Sequence, residues 1–251
     1  MEINKLYLGD CLELMKNIPD KSIDFICCDL PYGLTQNKKD IALPFDQLWK
    51  QYNRIIKDNR AIALFAQGLF YIDLVNSNRK MFRYDLIWDK KLISGFLNAK
   101  RQHLRVHEQI AIFSKKQTLY NPIMLEGGKP LHSKGKSYLN KEHKNENYGK
   151  FEMTDDSRAG ETLKYPKSIL SYQKPHPSKA LHRTEKSIEL IENLIKTYSN
   201  EGDLVLDNCA GSSPCAIAAI KTKRNWIMME KDEYYYNISK NRIDNFLNEI
   251  K

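Results

Sequence analysis

Late in this 251-residue chain an apolar run, Leu204-Val205-Leu206, leads straight into Asp207-Asn208-Cys209-Ala210-Gly211-Ser212-Ser213. Pro214 then opens an Ala- and Ile-rich stretch, 215–220, of helical character. Strand, tight turn of small residues, helix: this succession builds the ligand-cradling turn of a parallel α/β sheet, at the carboxyl end of a strand. A further strand, Trp226-Ile227-Met228-Met229, ends at Glu230, and a tyrosine-rich helix follows. Too little chain remains after Gly211 to build a sheet, so the missing strands must come from the N-terminal part. The ligand-cradling half therefore comes last.

Five strand-like runs precede it, at 3–8, 23–28, 61–66, 84–88 and 109–113, giving seven in all. Helical stretches are expected between most of them, at 12–18, 45–56 and 70–76, and at 187–198 before the late strands. The last of these carries Ile188, Ile191, Leu194, Ile195 and Tyr198 at helical spacing, a stripe to bury. Strands alternating with helices predict an α/β fold, a mostly parallel sheet covered on both faces. Asp24 stands out as a charge inside an otherwise apolar strand. A basic loop is expected over 90–105.

Residues 115–179 differ in character. They are rich in Lys, Gly, Asn, Ser and His, with interspersed aromatics (Tyr120, Tyr138, Tyr148, Phe151, Tyr165, Tyr172) and little helical or strand period. Composition alone leaves two readings open, a surface insertion and a substrate-recognition subdomain, since cations interleaved with aromatics suit phosphates and bases. The formal net charge of +9 points the same way, toward a polyanionic partner. Cys11, Cys27, Cys28, Cys209 and Cys215 form no C-x-x-C pair, and several sit in apolar strands, as packing thiols of a reducing compartment do. No apolar segment approaches the ~20 residues that span a bilayer, and no signal-peptide pattern opens the chain. A cytoplasmic protein without membrane association is expected.

Asp207 stands at a strand end, Gly211 allows close approach of backbone to a ligand, and Ser213-Pro214 suits an N-cap and first helical position. Glu230 falls 19 residues after Gly211, where an acidic side chain can take both hydroxyls of a ribose. The single glycine, with no G-x-G-x-x-G and no complete G-x-x-x-x-G-K-[ST] phosphate loop anywhere, disfavours a dinucleotide or a nucleotide phosphate. A nucleoside cofactor without phosphates fits better, and S-adenosyl-L-methionine is the common one. Asp29-Leu30-Pro31-Tyr32 follows another buried strand and lands on the same sheet edge. An acceptor, a rigid proline and an aromatic beside such a pocket suit a planar, amino-bearing base: the ring stacks, while a carboxylate and a backbone carbonyl accept from the exocyclic NH2.

With these two turns in this order, the chain resembles the permuted, beta-class amino DNA methyltransferases, which modify adenine N6 or cytosine N4. The family's Asp/Ser-Pro-Pro-Tyr appears as Asp29-Leu30-Pro31-Tyr32, and its Asp-Pro-Phe-x-Gly-Ser-Gly as Asp207 to Ser213. Gly9-Asp10-Cys11 is similar to the turn that contacts the cofactor adenine. Ile87-Trp88-Asp89-Lys90 and Arg105-Val106-His107-Glu108-Gln109 resemble later strands of the fold. His182-Arg183-Thr184-Glu185-Lys186 resembles the family's His-Pro-Thr-Gln-Lys. The departures are Leu30 for the first proline, Asn208-Cys209 for Pro-Phe, Ser213 for the second glycine, and Arg183 and Ser187 for prolines.

The resemblance implies a Rossmann-like class I methyltransferase, seven-stranded, mostly parallel and circularly permuted. Its seventh strand is normally antiparallel. Residues 1–114 would form the catalytic half, 115–179 a target-recognition insertion, and 180–251 the cofactor half. It implies S-adenosyl-L-methionine as methyl donor, held by Asp10, Cys11, His182, Thr184, Lys186, Asp207, Asn208, Cys209, Ala210, Gly211, Ser212 and Glu230. Asp29, Leu30, Pro31 and Tyr32 would carry the chemistry on a base flipped out of double-stranded DNA. Asp first in the motif favours adenine N6, with cytosine N4 the alternative, and an RNA or protein N-methyltransferase or a silent DNA-binding module behind it. A homodimer and a restriction-endonuclease partner stay open. Pro214-Cys215 matches the Pro-Cys of cytosine-C5 enzymes, but its place at the start of the cofactor helix makes a packing cysteine the expectation. The six histidines show no metal-ligand spacing with the cysteines, so no metal is expected.

Overall fold

The computed structural model of the chain describes residues 1–33, 40–132, 142–147, 149–152, 158–176, 178, 181–182 and 185–250. In chain order these form β1 (Lys5–Leu8), α1 (Cys11–Leu14), β2 (Phe25–Cys28), α2 (Phe45–Ile55), β3 (Ile62–Ala66) and α3 (Gly68–Ser77). The long β4 (Phe82–Ser94) and β5 (Arg105–Phe113) follow, then β6 (Glu142–Asn145), β7 (Gly149–Glu152) and β8 (Ile169–Ser171). The chain closes with α4 (Ile188–Tyr198), β9 (Leu204–Asp207), α5 (Pro214–Lys221), β10 (Asn225–Glu230) and α6 (Glu233–Glu249).

Eight strands make one sheet in the order β1-β10-β9-β2-β3-β5-β4-β8. Among its described strands only β5 runs against the rest, antiparallel to both β3 and β4. The late strand β9 lies between β10 and the early strand β2, paired through Phe25–Val205 and Ile26–Leu206. The two ends of the chain thus share one sheet, as the late position of the Asp207 turn requires. Strands β2 and β3 are buried at every position, the mark of a parallel sheet covered on both faces.

Because side chains alternate along a strand, the apolar runs feed two cores. Phe25, Cys27, Ala63 and Phe65 pack with α4 and α5, through Leu190, Leu194, Ile195, Cys215, Ala216 and Ala219. Ile26, Cys28, Ile62 and Leu64 pack on the opposite face against Leu48, Trp49, Tyr52 and Ile55 of α2, Leu74 of α3 and Met15. Ser187 caps α4 by accepting from Leu190 N, and the helix buries Leu190, Ile191, Leu194, Ile195 and Tyr198. At the edge where the parallel strands begin, buried Asp24 takes Lys57 at 2.7 Å and Arg60 at 3.0 Å and accepts from Leu204 N at 3.1 Å. That charge inside an apolar strand joins β2 to the start of β9, and its partners offset its burial.

The seven expected strands are all present, and the count rises to eight because Ile169–Ser171 pairs parallel with β4 at the sheet edge. Three residues are too few to show a period, so only pairing reveals this strand. The basic loop expected over 90–105 is shorter than that. Strand β4 continues past an irregularity between Asp89 and Ser94, and Ser94 still pairs with Arg105. Two compact units divide the chain: Met1–Asn121 with Ser168–Lys251, and Pro122–Lys167. The second contains the antiparallel ribbon β6–β7 and a Leu125–Lys164 bridge. The expected insertion, 115–179, is wider than this unit, since Asn121 bonds to Thr197 O at 2.8 Å and 168–171 belongs to the large sheet. Among the described residues no helix is long and apolar enough to cross a membrane.

Candidate active site

The turn after β9 is shaped by two residues in the left-handed region, Gly211 and Ser213, both at φ 55°. Gly211 N donates to Glu230 Oε2 at 2.8 Å, and Glu230 Oε1 accepts from Asp232 N at 2.8 Å. Ala210 N donates to Met229 O at 2.9 Å, and Gly9 N to Glu230 O at 2.9 Å. These bonds gather the carboxyl ends of β1, β9 and β10 at one place. Asp10 caps α1 there, accepting from Leu12 N at 2.9 Å and pairing with Lys231 at 2.9 Å. The His182 ring lies against Gly211, 3.7 Å from where a β-carbon would sit, and meets Tyr235 edge-on at 4.3 Å. Any side chain at 211 would thus be strained by φ, with its β-carbon in ordinary contact with His182.

Asp207, Asn208, Cys209, Ala210, Gly211, Ser212, Glu230, Asp10 and His182 come together as expected positions on this edge, though their side chains divide into two groups. Asn208 accepts from Tyr52 OH, and Ser212 Oγ donates to Glu185 Oε2 at 3.1 Å. Arg242 completes that knot with Glu185 Oε1 at 2.8 Å and Ser212 O at 2.9 Å, tying segment 185–187 to the turn. Ala210 and Cys11 are buried in the core. Thr184 lies outside the described residues. Ser213, expected to cap α5, makes no capping bond, and its Oγ is buried without a partner among the described residues; a left-handed backbone turns its side chain away from the helix N–H groups. Pro214 takes the first helical position as expected.

Asp207 accepts from Cys209 N at 3.0 Å and makes no ion pair among the described residues. Burial pushes its carboxyl up to about 7 and raises that of Glu230. A buried and a half-buried carboxyl and a glycine-opened backbone, with no phosphate-cradling lysine, fit a cationic nucleoside and not a nucleotide phosphate. S-adenosyl-L-methionine, a sulfonium with a ribose, matches that donor set.

The second turn follows β2, the neighbour of β9. Asp29 Oδ1 accepts from Tyr32 OH at 2.8 Å, and Asp29 Oδ2 pairs with Lys186 at 2.8 Å. Lys186 also reaches Glu108 at 2.9 Å, and Glu108 takes Lys90 at 3.1 Å. Two carboxylates and two ammonium groups thus alternate in a chain whose Lys186, Glu108 and Lys90 are all buried. Lys186 is further enclosed by the rings of Phe65 and Trp88, at 5.2 Å and 6.0 Å. Burial works to raise Glu108, but the Lys186 and Lys90 charges outweigh it and bring the carboxyl down to about 2. Burial works against the Lys186 charge too, and Asp29 and Glu108 hold it above the ordinary lysine range. Tyr32 is held phenolic by burial and by the charges of Asp29 and Glu108. Its ring stacks on Phe70 at 4.7 Å and 25°, which fixes the plane that a guest ring would meet. Leu30 is buried, so that position offers its carbonyl and not its side chain.

Lys186, expected among the cofactor ligands, ion-pairs with Asp29 on the acceptor side. Glu108 and Lys90 were not among the candidates from sequence; the available signal was a charge at the end of each apolar strand. Cys215 is buried with its Sγ 3.8 Å from Cys27 O, and its contact with Cys27 and its burial push the thiol up, so it packs and is no nucleophile. Among the described residues no group of His, Cys, Asp or Glu could hold a metal ion.

The chain is similar to known proteins over nearly its whole length. The chain is 29% identical over 258 residues to the type II methyltransferase M1.MboII of Moraxella bovis, covering 94% of this chain and 95% of that one. It is 24% identical to the DNA adenine methyltransferase YhdJ of Escherichia coli (strain K12), covering 97% and 83%. The crystal structure of the PvuII DNA methyltransferase, described as cytosine-N4-specific, superposes with a TM-score of 0.65 at 17% identity, over 100% of this chain and 93% of that one. The family profile described as DNA methylase, that of the N6 and N4 methyltransferases, matches residues 23–241. Permuted sheet, paired turns and profile together establish that the chain belongs to this DNA methylase family, with S-adenosyl-L-methionine as methyl donor and an exocyclic base amine as acceptor.

Proposed function

We propose that the enzyme methylates adenine at N6 in double-stranded DNA, at a specific sequence. The observation that carries this reading is the Asp29 carboxylate, fixed at one oxygen by Tyr32 and at the other by Lys186, beside the Asp207 turn. An exocyclic amine is a poor nucleophile because its lone pair is delocalised into the ring. Acceptance of its N–H groups by Asp29 and by the carbonyl of Leu30 or Pro31 localises that pair on nitrogen and takes up the departing proton. Tyr32 offers its ring to the base, and base stacking on an aromatic contributes ~1–3 kcal/mol, offsetting much of the cost of leaving the duplex. The bound S-adenosyl-L-methionine supplies the electrophilic methyl; Asp10, His182, Glu230 and the Asp207 turn would hold it. Lys186, in this reading, positions Asp29.

Adenine is favoured by Asp at the first motif position and by the likeness to the Escherichia coli adenine enzyme. Cytosine N4 is the second reading, since the PvuII enzyme carries that specificity on the same fold. The five free cysteines suit a cytoplasmic setting. Tritiated S-adenosyl-L-methionine with unmethylated plasmid, followed by nucleoside analysis, is the test: label in N6-methyladenine is expected. Label in N4-methylcytosine selects the second reading, and label absent from DNA defeats both. Asp29→Ala should lower transfer by about 10²–10³-fold while cofactor binding persists.

A further inference from the structure

The hairpin joining β4 to β5 has features that the chemistry above leaves unused. Residues 90–105 hold Lys90, Lys91, Lys100, Arg101 and Arg105 and no acidic residue. Lys90 is engaged with Glu108, whereas Lys91, Lys100 and Arg101 are exposed and make no ion pair among the described residues. At the tip, Gly95 turns the chain at φ 76° into a short 3-10 turn, Phe96–Asn98. Its Phe96 and Leu97 are 72% and 84% exposed, and Ile93 beside them 56%. Two large apolar side chains at the apex of a cationic loop are left uncovered by the described residues, as at a surface that meets a partner.

The hairpin is also anchored. Ser94 Oγ donates to Arg105 O at 3.1 Å across its base, and Arg105 reaches Gln67 Oε1 at 3.3 Å in the turn after β3. Its root, Lys90 with Glu108, is one ion pair from Lys186 and two from Asp29. At ~3.3 Å per residue the apex stands on the order of 15 Å beyond Lys90, well inside the ~34 Å of one duplex turn. A base drawn out to Asp29 leaves a gap in the stack within reach of that apex, and apolar wedges are the side chains that fill such gaps.

We propose that this hairpin enters the duplex at the target: Phe96 and Leu97 occupy the space the flipped base vacates, and Lys91, Lys100 and Arg101 hold the flanking phosphates. The proposal rests on the DNA-methylation reading, and the two fail separately. A cationic loop with an apolar apex also suits an anionic membrane, but its root in the acceptor site favours DNA.

The experiment begins with wild-type enzyme and plasmid; no label in DNA there defeats the function itself. The methylated sequence read from that plasmid then defines two oligonucleotide duplexes, one fully paired and one with the target base opposite an abasic position. Phe96→Ser/Leu97→Ser should lose at least about tenfold in kcat/KM on the paired duplex and stay within about twofold of wild type on the abasic one, where extrusion is cheap. Equal loss on both duplexes, or loss on neither, overturns the wedge. Lys100→Gln/Arg101→Gln should reduce the slope of log K against log salt by about 2; an unchanged slope overturns the phosphate contacts. Phosphatidylserine vesicles that bind wild type but not the Phe96→Ser/Leu97→Ser variant, with paired-duplex activity intact, overturn it in favour of a membrane.

Discussion

Asp207 is a carboxyl that the fold holds against its own preference. Burial moves it from 3.8 to about 7, so the folded state binds this proton more tightly than the unfolded chain. Its contribution to stability is complete below about 3.8 and is lost as pH rises through about 7. Wild type without ligand should therefore lose thermal stability relative to Asp207→Asn between about pH 3.8 and about pH 7, its Tm falling against that of the variant across the window and running parallel to it above. A Tm difference constant across that window would show that Asp207 does not titrate there. Glu108 has the opposite sign. Its carboxyl is held down at about 2 against an ordinary 4.5, so it stabilises above about 4.5 and the contribution vanishes between there and about 2. Lys186→Met leaves Glu108 short of a partner and should cost roughly 3–5 kcal/mol, read by urea denaturation. Removing Glu108 and Lys90 as well, with Glu108→Gln and Lys90→Met, should restore much of that stability, since no buried charge is then left unpaired, without restoring methyl transfer, because Asp29 still lacks its positioning cation. Asp29, Tyr32, Asp207 and Glu230 were legible as residues, since each closes an apolar run at a turn. Glu108 and Lys90 were not, because their role depends on a hairpin that brings them to Lys186 across 78 residues of chain.

Among the elements, the turn into α5 carries a local conflict. Ser213 stands left-handed with its hydroxyl buried and unbonded among the described residues. Ser213→Gly removes a left-handed penalty of ~1–2 kcal/mol and the buried hydroxyl, against the ~0.5–1 kcal/mol by which glycine favours the unfolded chain. The urea midpoint should rise by an amount corresponding to about 1 kcal/mol; a fall would mean the hydroxyl has a role in holding the turn. Helices α2 and α4 were legible because each presents a full apolar stripe and a defined start. Strand β8 was not, because three residues acquire a strand identity only through pairing with β4. The extension of β4 past Trp88 was hidden for a related reason: Lys90 reads as surface until Glu108 is seen to pair with it.

For the whole molecule, the net charge of +9 belongs with a polyanionic substrate. With about four phosphates neutralised, affinity for duplex DNA should fall about a hundredfold between roughly 50 and roughly 200 mM salt, read by anisotropy. Affinity that hardly changed would contradict a phosphate-clamping surface.

The sequence by itself determined the class of sheet, its permuted order and the two turns, because apolar runs, small-residue turns and their succession along the chain are local properties. Only the tertiary structure decided that Lys186 faces Asp29, that Glu108 and Lys90 complete that chain of charges, and that Ser213 fails to cap α5. Each of these turns on which buried groups meet, and the balance of burial against pairing exists only once distant segments have packed.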